Sequence, residues 1–183
     1  TLAKMFSEHG IKVLTVDLRN HGLSPHSNEM NYALMANDVL ELIEDNELTD
    51  VTLLGHSMGG KVAMELALTY PTILSKLIVA DIAPKYYPSN HQKIFRALME
   101  VDFAVVKTRK EAESILNNFI EDVGTKQFLL KNIYWKTETE LAWRFNLESI
   151  AKNIQFIGAA IESNEPFNRP TIFIRGEKSE YIL

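Results

Sequence analysis

Three short apolar runs alternate with two helical patterns over the first 83 residues of the chain. The runs at 11–16, 51–54 and 77–80 are nearly continuous and rich in β-branched residues, which is typical of strands buried on both faces of a parallel sheet. The segments 31–46 and 58–69 place their apolar residues on one face at helical spacing. Because strands and helices alternate in this order, the pattern predicts an α/β fold with crossover connections.

The remainder of the chain changes pattern and then returns to a core-type strand. Residues 84–170 carry apolar stripes at helical spacing, interrupted by an alternating stretch over 141–147 that indicates an extended segment. A fourth apolar run follows at 171–174. We therefore predict an α/β core over 1–83, a helical cap inserted over 84–170 between two strands of one mostly parallel sheet, and a return to the core at 171–183.

Composition excludes several functions for this stretch of chain. Its 183 residues include no cysteine, which excludes disulfides, thiolate catalysis and cysteine-ligated zinc. Asp and Glu number 24 against 19 Lys and Arg, and this acidic balance disfavours a broad nucleic-acid surface. No apolar run is long enough to span a bilayer. His, Asp and Glu do not cluster at ligand spacing, so neither a metal nor a cofactor is expected.

The most informative motif is Gly55-His56-Ser57-Met58-Gly59, which lies between a predicted strand and a predicted helix. A nucleophile elbow requires this setting, because its sharp turn holds the nucleophile in a strained conformation. Glycines two residues on either side leave room for strand and helix to approach. The Ser57 hydroxyl then projects at a helix N-terminus, where the helix dipole and free N–H groups favour an oxyanion. The alternative is a glycine-rich turn without chemistry.

Four segments together carry a resemblance to a known family. They are Asp17 to Pro25, Gly55 to Lys61, Asp81 to Pro84 and Trp143 to Leu147. In their order and spacing the chain resembles the α/β-hydrolase superfamily. Within it, the chain is similar to the serine esterase branch that holds the bacterial YbfF esterase and abhydrolase-domain-containing protein 11.

The resemblance implies a role for each matching position. Ser57 is the nucleophile, and the backbone N–H of Met58 is one donor of the oxyanion hole. Most of the superfamily places the triad acid after the strand that follows the cap, but this branch places it after the strand before the cap, where Asp81 stands. Glu177 and Glu180 remain alternative acids, and a loop-fixing role remains the alternative for Asp81.

For other polar and aromatic residues, the sequence gives weaker evidence of a role in the site. Candidate substrate contacts are His56, Trp143 and Arg144; Arg144 would meet an anionic headgroup, or else pair with a local carboxylate. Asp17 and Arg19 are expected to brace the loop after the first predicted strand rather than to act in catalysis, and Asp38 is expected to be either solvated or part of the same bracing. Aromatic side chains of the cap either line an acyl pocket or form the core of the cap. These are Tyr86, Tyr87, Phe95, Phe103, Trp135, Trp143 and Phe145.

A serine hydrolase of this fold needs a histidine base that follows the acid in the chain. None of the five histidines follows the fourth predicted strand; they are His9, His21, His26, His56 and His91. We therefore expect the base and the second oxyanion donor to lie outside residues 1–183. The chain is then a fragment cut at both ends and inactive alone. With no visible signal segment, it is expected to be cytoplasmic.

The sequence as a whole predicts a serine hydrolase that cleaves small-molecule carboxylesters or acyl thioesters through an acyl-enzyme on Ser57. A carbon–carbon bond hydrolase, or another acyl-transfer member of the fold, is the first alternative, because fold does not fix substrate. A non-catalytic hydrolase-like binding protein is the second. Dehalogenases and epoxide hydrolases are disfavoured because they place aspartate at the elbow. The sequence does not predict an oligomeric state.

Overall fold

The computed structural model describes residues 1–88 and 92–182, which contain eight helices and five strands. The helices are α1 (Leu2–Glu8), α2 (Tyr32–Asp45), α3 (Met58–Thr69), α4 (Gln92–Met99), α5 (Arg109–Leu116), α6 (Val123–Leu130), α7 (Leu147–Lys152) and α8 (Ile154–Ile157). The strands are β1 (Val51–His56), β2 (Leu74–Ala80), β3 (Ile133–Trp135), β4 (Leu141–Trp143) and β5 (Thr171–Ile174).

Strands β1, β2 and β5 form a parallel sheet in the order β1-β2-β5. Helix α3 connects β1 to β2, and a long, mainly helical insertion connects β2 to β5. The register pairs His56 with Ala80 and Ala80 with Ile174, so the three strands end at the same edge. The predicted parallel α/β sheet with an insertion between two strands is confirmed, and ligands of such sheets bind at this carboxyl edge.

The helices that flank the sheet follow from their sequences. Helix α2 starts where the Asn31 side chain accepts a hydrogen bond from Leu34 N at 2.9 Å, which satisfies a donor that the first helical turn leaves open. Its apolar face is buried in the core cluster, as the helical spacing predicts. The buried residues of α2 are Tyr32, Met35, Ala36, Val39 and Ile43.

The strand predicted at 11–16 is wrong for this structure. The segment has no strand pairing, and its Ile11, Val13, Leu14 and Val16 side chains are 37–52% exposed. A groove of about 590 Å³, lined on one side by this segment and on the other by residues of β1, lies between the two. Paired strands lie about 4.8 Å apart. Because the groove separates it from β1, the apolar run has no adjacent strand with which its backbone could form hydrogen bonds.

The insertion between β2 and β5 has a hydrophobic cluster of its own. Strands β3 and β4 form an antiparallel pair within it, which confirms the extended segment expected after position 141. The end of the insertion behaves differently, because Ile157 and Ile161 pack against the core cluster of the sheet instead. The three-part division of the chain stays a prediction. The buried members of the second cluster are Ala97, Leu98, Val101, Val106, Ala112, Leu116, Ile120, Leu129, Leu130, Ile133 and Leu141.

Candidate active site

Ser57 occupies the sharp turn between β1 and α3. Its backbone has φ 52° and ψ −120°, a conformation that residues with a side chain rarely adopt and that costs free energy. Ser57 N donates to Ala80 O at 2.9 Å, and Ser57 O accepts from Gly60 N at 2.9 Å. Although Ser57 stands at the N-cap of α3, its hydroxyl makes no capping hydrogen bond. The turn has the form of a nucleophile elbow, with the hydroxyl left available.

At the elbow, neighbouring atoms leave no room for a Cβ at Gly55 or at Gly60. A Cβ on Gly55 would lie 2.1 Å from Gly59 O, and a Cβ on Gly60 would lie 2.6 Å from Ile82 Cγ2. A Cβ on Gly59 would meet no atom within 4 Å. The steric reason predicted for Gly55 is therefore confirmed. The one predicted for Gly59 is wrong, because the crowded position is the next residue along the helix.

Gly55→Ala is expected to lower the free energy of unfolding by about 3 kcal/mol, because the clashing oxygen is backbone and moves only with α3. Gly59→Ala is the matched control. It adds the same methyl group to open space in the first turn of a helix, so its effect should stay within about 0.5 kcal/mol. Urea denaturation followed by circular dichroism measures both. Equal midpoints for the two variants would contradict the packing described.

Ser57 opens into a cavity of about 610 Å³. Its walls come from α2 and α3, from the chain that leaves β2, from the end of the insertion and from the chain beyond β5. The volume lies within the range of small-molecule sites. The lining residues are Tyr32, Ser57, Met58, Lys61, Ile82, Lys85, Tyr86, Tyr87, Pro88, Ile154, Ile157, Gly158, Glu180 and Tyr181.

Met58 is the first residue of α3 and lines the same cavity as Ser57. The N–H groups in the first turn of an α-helix have no carbonyl partner within the helix. The helix dipole adds partial positive charge at this end. The beginning of α3 therefore offers a donor beside Ser57 where a carbonyl oxygen could gain negative charge.

Asp81 follows β2 as Ser57 follows β1, and the register places the two residues at adjacent strand ends. Its backbone has φ 59°, and its N–H donates to Ile174 O at 2.7 Å. The Ser179 side chain and Gly176 N–H both donate to the carboxylate and hold the pKa of Asp81 below its ordinary value. The bond from Gly176 N to Oδ1 is 3.1 Å. Asp81 is therefore a fixed, ionised carboxylate at the edge where Ser57 lies.

The alternative acids lie in the chain beyond β5. Glu177 and Glu180 are both exposed, and Glu180 also lines the Ser57 cavity. Ser179, which stands where most of the superfamily would carry its acid, instead donates a hydrogen bond to Asp81, as Gly176 N does. The turn after β5 therefore supports the carboxylate of β2, which favours Asp81 over either glutamate.

The three candidate substrate contacts lie outside the walls of the Ser57 cavity. None of His56, Trp143 and Arg144 lines the Ser57 cavity, and His56 lines the groove beside β1 instead. The Trp143 ring stacks on Phe145 at 5.5 Å, within the cap cluster, and the Arg144 guanidinium lies 5.0 Å from the Tyr134 ring centroid. Packing within the cap holds Trp143 and Arg144 away from the cavity. His56 precedes Ser57 in the chain, and its charge contributes to the lowered pKa of Asp81.

The loop after the first predicted strand is braced by its own contacts. The Arg19 guanidinium forms two hydrogen bonds of 2.6 Å with the Asp38 carboxylate. Asp17 Oδ2 accepts from Leu23 N at 3.0 Å, and a Cβ on Gly22 would lie 1.9 Å from the same oxygen. The predicted bracing role of Asp17, Arg19 and Asp38 is confirmed by these contacts.

Sequence reasoning missed two buried polar residues, Asn20 and Lys61. Asn20 is fully buried: its side chain accepts from Ser27 N at 2.8 Å and donates to Ser149 Oγ at 3.2 Å. Asn146 N also donates to Asn20 O at 2.8 Å, and this bond joins two of the segments that carry the resemblance, which is the signal that could have found Asn20. Lys61 is also buried. The sequence signal that could have found it is the position of a lysine directly beside the apolar residues of α3.

No histidine lines the Ser57 cavity within residues 1–88 and 92–182. His91 lies outside the described residues. In the same part of the chain, His, Asp and Glu form no group of three that could hold a metal ion. No described helix is both long enough and apolar enough to cross a membrane.

Comparisons with known proteins agree with this geometry. The model of the alpha/beta hydrolase fold family matches residues 1–115. A solved structure of a marine microorganism esterase superposes with a TM-score of 0.86 and 44% identity, covering 91% of this chain and 67% of that one. The chain therefore belongs to the α/β-hydrolase family.

Two curated relatives place the chain more narrowly. The sn-1-specific diacylglycerol lipase ABHD11 of Mus musculus is 38% identical over 189 residues, covering all of this chain and 61% of that protein. Esterase YbfF of Escherichia coli is 34% identical over 179 residues, covering 97% of this chain and 67% of that protein. This confirms the resemblance to the esterase branch. The chain spans about three fifths of the length of the mouse relative.

Proposed function

We propose that this chain carries the nucleophile and the acid of a serine esterase that cleaves small-molecule carboxylic esters. The observation that carries the proposal is the setting of Ser57. Its backbone is strained at φ 52°, and Ser57 and the first residue of α3 both line a cavity of about 610 Å³. A non-catalytic turn has no need of this strain, whereas an elbow uses it to present the hydroxyl. The ester-cleaving names of the two curated relatives support the same class.

The proposed reaction begins with Ser57 Oγ attacking the ester carbonyl carbon while a histidine takes the hydroxyl proton. The carbonyl oxygen gains negative charge and accepts a hydrogen bond from Met58 N–H. The C–O bond then breaks, the alkoxide leaves with the proton from the histidine, and an acyl-enzyme remains. Water attacks the acyl carbon by the same route, which releases the acid and restores Ser57.

The histidine is proposed to come from chain outside residues 1–183 and to be oriented by Asp81. The lining of the Ser57 cavity, as far as residues 1–88 and 92–182 form it, contains no histidine, which supports this proposal. Asp81 suits the role because its carboxylate is held ionised and fixed by the turn after β5. A fixed carboxylate holds the imidazole in the correct tautomer and stabilises the imidazolium that forms.

The substrate is proposed to be an ester with an apolar acyl group. Ile82, Ile154 and Ile157 line the cavity together with four tyrosines. Apolar walls with a few polar groups are typical of small-molecule sites. Acyl thioesters react by the same steps and fit the same walls, so they form part of the proposed substrate class.

The complete reading frame that contains residues 1–183, here called the complete protein, is expected to hydrolyse p-nitrophenyl butyrate. Residues 1–183 alone are expected to be nearly inert because they lack the proposed base. Release of p-nitrophenol, measured for both proteins at equal concentration, tests this. Brisk turnover by residues 1–183 would overturn the proposal of an external histidine. No turnover and no fluorophosphonate labelling of the complete protein would favour a binding protein.

A further inference from the structure

Lys61 lies one helical turn after Ser57 on α3, and its side chain is almost completely buried. Its ammonium lies 4.8 Å from the ring centroid of Tyr87 and 5.5 Å from that of Tyr32. Both rings also line the Ser57 cavity. The charge is therefore enclosed between a core helix, the chain that leaves β2 and the cavity wall.

The ammonium donates hydrogen bonds to three backbone carbonyls that come from both ends of the insertion. Lys85 O accepts at 2.9 Å, and it belongs to the chain that leaves β2. Gly158 O accepts at 3.4 Å and Ala159 O also accepts, and both belong to the chain that returns toward β5. One side chain of the core thus holds the outgoing and the returning chain together.

We call these two segments, residues 83–88 and 157–161, the neck of the insertion. Tyr87 N donates to Gly158 O at 2.8 Å, and Ile161 N donates to Pro84 O at 2.7 Å. A Cβ on Gly158 would lie 2.3 Å from Tyr87 O, so the two segments approach closely. The neck is therefore a pair of bonded segments, and Lys61 attaches it to α3.

Tyr32 adds a second attachment, because its hydroxyl donates to Ile157 O at 2.6 Å. Burial lowers the pKa of Lys61 to about 8, because an enclosed ammonium loses part of its hydration. Apolar side chains of similar volume often replace buried charges without loss of stability. An apolar side chain would avoid that loss of hydration but would leave three converging carbonyls without this donor, so the lysine serves the bonds to the neck.

We propose that Lys61 is a positioning residue, which fixes the neck against α3 and so holds Tyr87, Ile157 and Gly158 in place as the wall of the Ser57 cavity. The wall faces the serine from the side of the insertion. If the neck loosens, the cavity loses its shape while β1, α3 and the elbow keep theirs. The consequence for substrate binding rests on the proposed esterase function, but the attachment of the neck does not.

Hydrogen exchange followed by mass spectrometry tests the attachment in the complete protein. In Lys61→Met, peptides that contain the Tyr87 and Ile161 amides are expected to exchange about tenfold faster, while peptides of β1 and β2 keep their rates. Leu66→Ala is the matched control, because Leu66 is buried on the same helix but contacts the core. It should accelerate exchange across the sheet without singling out the neck. If the neck peptides of Lys61→Met exchange at the wild-type rate, the proposal is overturned.

A second variant keeps the test decisive if Lys61→Met fails to fold. Lys61→Gln retains an amide with two donors, one fewer than the ammonium, on a shorter side chain. In this variant the backbone amides of the neck should exchange hydrogen at a rate between those of the wild type and Lys61→Met. A rate equal to that of the wild type, in a folded Lys61→Gln protein, would count against the ammonium as the attachment.

Steady-state kinetics test the positioning role. Lys61→Met is expected to raise KM for p-nitrophenyl butyrate about tenfold and to change kcat less than about threefold, because the elbow is intact. Leu66→Ala should leave KM unchanged. Unchanged KM together with a loosened neck would overturn the positioning role. If the wild-type protein itself hydrolyses no ester, the proposed function fails, while the exchange measurement still decides whether Lys61 holds the neck.

Discussion

Ser57→Ala is expected to lower kcat for ester hydrolysis by the complete protein about 10⁴-fold or more, because the acyl acceptor is removed. The measurement is p-nitrophenyl butyrate turnover at saturating substrate. Ser114→Ala is the matched control, because Ser114 is an exposed serine on α5 whose hydroxyl donates to Lys110 O within the same helix. The control should keep the wild-type rate. Turnover that survives Ser57→Ala would contradict the acyl-enzyme mechanism.

Substitutions of Ser57 also test the backbone strain through protein stability, independently of catalysis. Ser57 has φ 52°, which is strained for alanine as much as for serine, so Ser57→Ala should unfold near the wild-type midpoint. Ser57→Gly should be more stable than Ser57→Ala by about 1 kcal/mol, because glycine adopts this region without the steric cost. Thermal unfolding of both variants measures the difference. Equal stability would contradict a strained elbow, whatever the effect on activity.

Asp81→Asn is expected to lower kcat about 10⁴-fold, because an amide no longer holds the imidazole in the productive tautomer or stabilises its charge. The asparagine is isosteric, and its oxygen can still accept from Gly176 N, so the turn after β5 should remain folded. Measurement of kcat with p-nitrophenyl butyrate, together with circular dichroism, separates the loss of catalysis from unfolding.

Glu177→Gln and Glu180→Gln are the matched controls for Asp81→Asn. Both residues are exposed, and each variant removes one carboxylate charge from the same edge of the sheet. Glu177→Gln should keep kcat within about threefold of the wild type, because Glu177 lies outside the Ser57 cavity. Glu180→Gln changes a residue of the cavity wall, so it should lose far less kcat than Asp81→Asn but need not match the wild type. Little loss in Asp81→Asn, with a large loss in either glutamate variant, would move the acid to the chain beyond β5.

Local patterns were enough to predict the elbow and most of the sheet. The apolar runs at 51–54, 77–80 and 171–174 became β1, β2 and β5. The burial on both faces that such runs predict does not hold for β5, all four residues of which are exposed. Glycine at 55 was predictable because strand and helix backbones meet there. These features depend on residues that are neighbours in sequence.

Features that depend on distant contacts were not predictable. Asn20 is buried by bonds to Ser149, which is 129 positions away, and Lys61 by carbonyls of the neck up to 98 positions away. The apolar run at 11–16 reads as a strand, but a strand also needs a neighbour to pair with, and its sequence says nothing about that. Trp143 and Arg144 read as pocket residues because composition does not show which way a cap packs.

The most direct test of the central claim is to locate the nucleophile by covalent labelling. The complete protein would be treated with a fluorophosphonate, digested and sequenced by tandem mass spectrometry, with Ser57→Ala treated in parallel. We predict one phosphonylated residue, Ser57, and no labelling of the variant, because only an activated serine attacks the probe at a useful rate. Absence of an adduct on Ser57, or an adduct on another residue that persists in Ser57→Ala, would contradict the account.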